Sequence, residues 1–356
     1  MEKQTKISQF LRRKNIIFSI KRYGIDALGA MAQGLFASLL IGTIISTLGE
    51  QLNVAILIEI GTYAKNATGP AMAVSIGYAL QSPPLVLFSL VAVGGAANQL
   101  GGAGGPLAVF FASVLAAEVG KVVSKETKID IIVTPFVTIA IGVLFSIGCA
   151  PAIGAAASSI GAAIMWATEL QPFFMGIVVS VLVGIALTLP ISSAAICAAL
   201  NLTGLAGGAA VAGCCAQMVG FAVMSFRENK WGGLAAQGLG TSMLQMGNIV
   251  RNPRIWIPPT IAAAICGPIA TCIFQLQMNG AAIASGMGTC GLVGQIGVYT
   301  GWIIDINNGV KTAITVWDWT GLILISFILP AVITYLLSLY FRKKKWIHPN
   351  DLKLDL

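Results

Sequence analysis

The sequence contains very little charge. Only 10% of its 356 residues are Asp, Glu, Lys or Arg, whereas soluble domains carry about 25%. Three tracts, 66–117, 170–226 and 255–304, contain no charged residue, and each is long enough for two membrane-spanning helices of about 20 residues. The composition therefore excludes a soluble protein. Because the apolar runs are continuous, it predicts an all-α polytopic membrane protein.

The sequence also lacks the patterns of a metal site, a disulfide scaffold or a catalytic centre. Its one histidine is His348, and its seven cysteines lie in apolar or glycine-rich stretches, where cysteine acts as a small packing residue. A single histidine cannot complete any familiar spacing of metal ligands. No nucleophile lies at a usable spacing from a base. The sequence therefore predicts no metal ion, no cofactor and no catalytic residue.

The basic residues are concentrated at the two ends of the chain and in short loops. Seven Lys or Arg and one acid are interleaved with apolar residues before residue 25, which predicts that 1–29 is an amphipathic segment on the inner membrane surface. Four consecutive basic residues open a tail at 342–356. Since cytoplasmic segments carry an excess of Lys and Arg, both termini are predicted to be cytoplasmic. The predicted location is the bacterial inner membrane, with 30–341 as the transmembrane domain. Membrane lipid accounts for the net charge of +8, and no nucleic acid is expected as a partner.

The apolar runs between these ends predict about ten transmembrane helices. They lie at 30–48, 68–93, 105–123, 130–148, 151–168, 173–195, 197–224, 255–276, 280–300 and 319–341. The segment 94–106 interrupts them with six glycines in thirteen residues. Such a segment predicts a loop or a re-entrant break, because irregular backbone at membrane depth must be covered by protein or water.

Two glycine-rich segments share a pattern. GLGTSMLQMGNI (238–249) and GMGTCGLVGQIG (286–297) both read Gly, apolar, Gly, Thr, followed by Leu and a carboxamide, at a separation of 48 residues. Either chance or a structural repeat explains the match in a chain so rich in glycine. A repeat would provide two broken helices, which expose backbone groups and helix ends to substrates in transporters. Gly238, Gly240 and Gly247 are predicted to adopt conformations that a Cβ would penalise.

Four stretches, two of which contain these segments, resemble the membrane-embedded IIC component of the bacterial sugar phosphotransferase system, and within it the IIC-like branch. They are 128–155 (KIDIIVTPFVTIAIGVLFSIGCAPAIGA), 169–196 (ELQPFFMGIVVSVLVGIALTLPISSAAI), 213–259 (GCCAQMVGFAVMSFRENKWGGLAAQGLGTSMLQMGNIVRNPRIWIPP) and 286–297. The resemblance implies a homodimer, with a scaffold of helices and a substrate-holding domain that includes re-entrant hairpins. It also implies uptake of a sugar that soluble phosphocarrier proteins phosphorylate. As an enzyme, the chain would be at most the membrane subunit of that complex.

Polar side chains in the membrane region form the candidate binding site. A sugar hydroxyl both donates and accepts, and amide and hydroxyl side chains match it without burying a charge. Glu169 is included because an intramembrane carboxylate is a functional candidate. The predicted substrate-binding residues are Glu169, Gln171, Gln237, Thr241, Ser242, Gln245, Asn248, Thr289 and Gln295. The alternative role of the amides is hydrogen bonding between helices, and that of Glu169 is to end a helix at the membrane interface.

Two functions fit these observations. The first is a permease that moves a small polar, sugar-like solute by alternating access, coupled to phosphotransferase partners. The second is a membrane sensor or regulator that keeps the permease fold. Sugar permeases of this superfamily usually have a histidine at membrane depth and a Gly-Ile-Thr-Glu-Pro-like hairpin tip. The second function is open because the only histidine here is near the C-terminus and no such tip occurs. The sequence leaves the identity of the solute open.

Overall fold

The chain is helical throughout the part that the structure describes. The computed structural model describes residues 6–168 and 170–354. No strand occurs among them apart from an isolated antiparallel bridge between Gly204 and Met278. The helices, in chain order, are α1 (Lys6–Arg13), α2 (Lys21–Leu52), α3 (Ala55–Asn66), α4 (Thr68–Ala79), α5 (Pro84–Gly101), α6 (Gly105–Val123), α7 (Asp130–Thr168), α8 (Pro172–Thr188), α9 (Ser193–Ala199), α10 (Gly204–Met224), α11 (Phe226–Ala235), α12 (Met246–Arg251), α13 (Pro253–Ile273), α14 (Val293–Asn307) and α15 (Val316–Lys343).

Six helical segments are long and apolar enough to cross a membrane. They are Lys21–Leu52, Pro84–Val123, Asp130–Ile160, Gly204–Met224, Pro253–Ile273 and Val316–Lys343. The all-helical membrane fold is thus confirmed, whereas the count of about ten helices is not. Two predicted spans, 130–148 and 151–168, form the single helix α7, which accommodates Pro151 in its interior. The predicted span 68–93 is divided, because Pro83 and Pro84 follow the end of α4 and start a new helix.

The chain forms two compact units. Unit 1 comprises Met1–Leu39 and Tyr63–Ala155, and unit 2 comprises Leu40–Thr62 and Ala156–Leu356. Helices α2, α3 and α7 contribute residues to both.

Unit 1 contains a helical hairpin built from α5 and α6. The glycine-rich segment continues α5 as far as Gly101, and the chain then turns at Gly102–Gly104, where Gly102 has a φ of +50°. Such a φ favours glycine because it lacks a Cβ. With 18 and 19 residues, each helix is about 27 Å long. That length is close to the roughly 30 Å of a bilayer core.

The two ends of this hairpin lie together at a basic end of unit 1. The ammonium group of Lys121, a residue 2% exposed, lies 2.7 Å from a carboxylate oxygen of Glu118 and donates to the backbone oxygens of Asn15 and Leu80 at 3.1 and 3.2 Å. Lys14 donates to the backbone oxygen of Ser124. These contacts bring the connections before α5 and after α6 to the N-terminal segment. The start of α5 and the end of α6 therefore lie at the same end of the unit.

Unit 2 is a bundle of α8, α10, α13 and α15 in which α10 is central. Nearly every residue of α10 is buried, because its many Gly and Ala residues allow neighbouring backbones to approach closely. A Cβ on Gly213 would lie 1.9 Å from the backbone oxygen of Ser180 in α8. A Cβ on Gly208 would lie 1.8 Å from the backbone oxygen of Leu276, just after α13.

The hydrogen bonds of unit 2 define two opposite ends of the bundle. At the end that we call the tail end, Arg342 donates to the backbone oxygen of Met224 at 3.2 Å, and Asn252 donates to that of Trp346 at 2.9 Å. At the other end, which we call the far end, Gly204 pairs with Met278 through two backbone hydrogen bonds of 3.0 Å. The 28 residues of α15 span about 42 Å, so Val316 lies at the far end and Lys343 at the tail end.

Candidate functional site

The first glycine-rich segment is broken. After α11 the chain forms a turn over Ala236–Gly240, becomes extended at Thr241 (φ −158°, ψ 142°), and resumes as a 3₁₀ turn over Ser242–Gln245 and then α12. The predicted break is confirmed, but its predicted cause was wrong. None of Gly238, Gly240 and Gly247 has a positive φ. The irregular conformation falls on Thr241, whose hydroxyl accepts a hydrogen bond from the Met243 backbone nitrogen at 3.1 Å.

The second glycine-rich segment is broken in a related way. A 3₁₀ turn starts at Cys290, 48 residues after the one at Ser242, which is the separation of the sequence match, and α14 follows it. Here glycine is needed, because Gly288 and Gly291 have φ values of +54° and +51°. A Cβ on Gly288 would also lie 2.6 Å from that of Cys214 in α10. The two broken segments contact each other within unit 2.

A third break, which the sequence analysis missed, meets the other two. The predicted span 173–195 ends as α8 at Thr188, and the short helix α9 starts at Ser193. Ser193 donates to the backbone oxygen of Gly286 at 2.8 Å, and the hydroxyls of Thr188 and Ser242 share a hydrogen bond of 2.8 Å. Pro190, followed by Ser192 as the capping residue of α9, was the signal for this break.

A buried polar chain leads from the first break to α13. The Thr188 hydroxyl donates to the side-chain oxygen of Gln217 at 3.3 Å, and the Trp256 indole donates to the same oxygen at 3.0 Å. Gln217 in turn donates to the Thr260 hydroxyl at 3.3 Å. Thr188, Ser242 and Gln217 are buried and carry no formal charge. This arrangement offers donors and acceptors of the kind that hydroxyl groups require.

The three amides of the first segment form a second network. Gln245 donates to the side-chain oxygen of Gln237 at 2.8 Å and to the backbone oxygen of Leu352 at 3.0 Å. Asn248 donates to the side-chain oxygen of Gln245 at 2.8 Å and to the backbone oxygen of Lys353 at 2.9 Å. All three amides are buried. In this structure Gln245 and Asn248 therefore bind the C-terminal tail, whereas Gln237 bonds to Gln245 and to Ser225. Contact of the three amides with a solute remains a prediction.

The tail is packed along the tail end of unit 2. Asn229 donates to the Leu352 backbone oxygen at 2.7 Å and accepts from the Leu354 backbone nitrogen at 2.8 Å. Asn252 donates to the carboxylate of Asp351 at 2.7 Å. The side chains of Ile347 and Leu352 are buried. Part of the predicted basic tail is therefore a structural element held by four side-chain amides, and we call Trp346–Leu354 the clamped tail.

The remaining predicted site residues lie outside these two networks. The Thr289 hydroxyl is buried and donates to the sulfur of Met218 at 3.6 Å. Gln295 donates to the Ser326 hydroxyl at 2.9 Å, and its side-chain oxygen is buried with no partner among the described residues. Gln171 is exposed at the start of α8, away from the breaks. Glu169 lies outside the described residues.

An apolar helical bundle with broken helices and buried, uncharged polar groups defines an integral membrane protein of the transporter class. The chain matches the family described as phosphotransferase system, EIIC, over residues 25–354. It therefore belongs to that family and is a membrane component of sugar transport. Neither the curated proteins nor the solved structures include a match to the chain.

Proposed function

We propose that the protein is the permease subunit of a bacterial sugar phosphotransferase complex, and that it moves a sugar-like solute by alternating access. The observation that carries this proposal is the meeting of three broken segments inside unit 2, around 189–192, 241 and 288–292. Breaks of this kind supply backbone groups and helix ends to a solute at membrane depth. A helical bundle that only anchored other proteins would have no need of three adjacent breaks.

The chemistry of the breaks suits a neutral polyhydroxylated solute. Thr241, Ser242 and Thr289 supply hydroxyls, and Gln295 has a buried amide oxygen without a partner among the described residues. We assign these four side chains to solute contact. Gln237, Gln245 and Asn248 would join them only after the clamped tail is released, because Gln245 and Asn248 bind the tail in this structure and Gln237 bonds to Gln245. Glu169 and Gln171 remain predicted contributors.

We infer the orientation of unit 2 from its charge. Nine basic residues belong to the tail-end segments, namely Arg227, Lys230, Arg251, Arg254, Arg342, Lys343, Lys344, Lys345 and Lys353. At the far end, Lys311 is paired with Asp318 at 2.6 Å. By the positive-inside rule the tail end is cytoplasmic. Phosphocarrier partners would then meet the protein at the tail end, and both termini would lie in the cytoplasm of the bacterial cell, with the protein as a homodimer in the inner membrane.

Cysteine labelling tests this orientation. Val310 is 76% exposed at the far end, and Lys353 is exposed in the clamped tail. In a Cys272→Ser background, an impermeant maleimide added to intact cells is expected to label Val310→Cys and to leave Lys353→Cys unlabelled. Permeabilised cells should give labelling of both, which controls for reactivity. Labelling of Lys353→Cys alone in intact cells would reverse the proposed orientation.

Sugar uptake by cells tests whether transport is coupled to phosphorylation. Cells that contain the phosphocarriers and express the protein are supplied with labelled glucose, mannose, galactose or mannitol, one at a time. The proposal expects at least one of them to accumulate as its phosphate above the level of cells with an empty vector. Accumulation of free sugar would show transport without phosphorylation, and the absence of any accumulation would argue against the permease.

A sensor is the second candidate function, and the clamped tail is the observation that favours it. Gln245 and Asn248, two amides that suit a sugar, hold a C-terminal segment instead. Solute binding at the breaks would then compete with the tail for the same amides. Such competition would convert solute binding into release of the tail at the tail end, which a soluble partner could detect.

A further inference from the structure

The far end of unit 2 contains a cavity that the broken segments do not share. Its volume is about 330 Å³, within the roughly 300–1,000 Å³ of small-molecule sites. Its walls come from the chain just after α13, from the end of α14 and from the start of α15. The side chains that matter most are Phe274, Gln275, Trp302, Asp305, Lys311 and Trp317.

Aromatic rings form one part of this far-end cavity. Trp302 is almost fully buried, whereas Trp317 is 55% exposed. The ring of Trp317 packs on that of Phe274, with 4.7 Å between the centroids and 35° between the planes. Indole rings present large apolar faces, negative at the centre, on which the C–H groups of a sugar ring can stack. The exposed part of Trp317 is available for such contact.

Polar groups occupy the rest of the cavity. The carboxylate of Asp305 accepts two hydrogen bonds from the Asn279 amide, at 2.9 and 3.1 Å, which orient it. The Gln275 side chain is exposed and has no hydrogen bond within the described chain. A carboxylate and a free amide together accept from and donate to neighbouring hydroxyls.

The charge of the cavity narrows the class of ligand. Lys311 is paired with Asp318 at 2.6 Å, and Asp318 also caps the start of α15. The charge of Asp305 is therefore left without a cationic partner among the described residues. A phosphorylated sugar would be repelled by this carboxylate, whereas a neutral hydroxylated solute would hydrogen-bond to it.

We propose that the far-end cavity is a binding site for an unphosphorylated monosaccharide or hexitol, which the protein captures before the solute reaches the broken segments. The proposal rests on the proposed function for the direction of travel, since the far end would face outward. The alternative for Trp317 is an aromatic anchor at the membrane surface, a common position for Trp. An anchor would have no effect on the affinity for sugars.

Binding to the purified protein tests the proposal. Isothermal titration in detergent is carried out with glucose, mannose, galactose and mannitol, and with glucose 6-phosphate as the charged comparison. At least one neutral probe is expected to bind, and glucose 6-phosphate is expected to bind much more weakly. Trp317→Ala should raise the Kd of the neutral probe about tenfold, which is the size of effect expected from loss of one stacked ring. Gln275→Ala should raise it by a smaller factor.

Trp231→Ala is the matched control. Trp231 is 73% exposed and also packs against a phenylalanine, Phe226, with its ring edge-to-face, but it belongs to the tail-end segments. Its removal is expected to leave the Kd unchanged. The melting temperature of each variant shows whether the fold is retained, which we expect because all three side chains are exposed.

The outcomes separate this proposal from the proposed function. Unchanged affinity in both Trp317→Ala and Gln275→Ala overturns the proposal that the far-end cavity binds the solute, and it leaves the proposed solute binding at the breaks intact. Equal binding of glucose 6-phosphate also overturns it. If no neutral probe binds, the cavity is overturned and uptake alone decides the transport function. If the variants lose binding while the wild-type protein transports nothing, the far-end binding site is supported and the permease function is contradicted.

Discussion

Replacement of Gln245 by leucine is expected to lower the melting temperature of the protein by several degrees and to release the clamped tail. The change removes the donor to the Gln237 oxygen and the acceptor of the Asn248 amide. It also removes one of the two side-chain donors to the Leu352 oxygen. A buried polar atom left without a partner costs about 1–3 kcal/mol. Differential scanning fluorimetry, together with protease sensitivity of the tail, measures both effects.

Gln171→Leu is the matched control, since it makes the same chemical change at an exposed site. Its melting temperature should equal that of the wild-type protein. A Gln245→Leu protein with an unchanged melting temperature and lost sugar binding would contradict the clamp, and it would return Gln245 to a solute cavity.

Replacement of Gly288 by alanine is expected to reduce transport by roughly ten- to hundredfold. A Cβ would be strained at a φ of +54° and would lie 2.6 Å from the Cβ of Cys214, so the second broken segment must move away from α10. A displacement of a fraction of an ångström at a binding site can cost a factor of this size. Initial rates of sugar uptake, normalised to the amount of protein in the membrane, measure the loss.

Gly309→Ala separates the effect of the clash from that of the backbone conformation. Gly309 has a φ of +72° but no atom within 4 Å of its Cβ position, so alanine there carries only the backbone penalty of about 1 kcal/mol. Transport by Gly309→Ala should remain close to normal. Equal losses in the two variants would show that contact between Gly288 and Cys214 is unimportant.

The membrane class and the broken segments could be predicted from the sequence, because both depend on local composition. Long uncharged apolar tracts are typical of membrane-spanning helices, and the shared pattern at Thr241 and Thr289 marks two real breaks. The number of spans could not be predicted in the same way. Pro151 is accommodated inside α7, whereas Pro83 and Pro84 separate two helices. The two outcomes depend on neighbouring helices rather than on the proline itself.

The hydrogen-bond partners of the polar side chains could not be predicted from the sequence either. Gln237, Gln245 and Asn248 are close together in the chain, so their grouping was predictable. That Gln245 and Asn248 bind backbone oxygens 107 and 105 residues later, at Leu352 and Lys353, depends on where α15 ends. The far-end cavity is a similar case, because it joins residues from three separate segments between 273 and 318. No local pattern marks Gln275 or Asp305 as neighbours of Trp302.

Counterflow with the purified protein tests the central claim, that the chain is itself a permease. Liposomes containing the protein are loaded with unlabelled glucose, mannose, galactose or mannitol and diluted into a trace of the same labelled sugar. Without phosphocarriers, exchange through the protein is the only route for label to enter faster than by leakage. We predict transient accumulation of label for at least one of these sugars, absent from protein-free liposomes and strongly reduced by Gly288→Ala. A folded protein that binds one of these sugars and yet gives no accumulation would contradict the account and would identify the protein as a sensor.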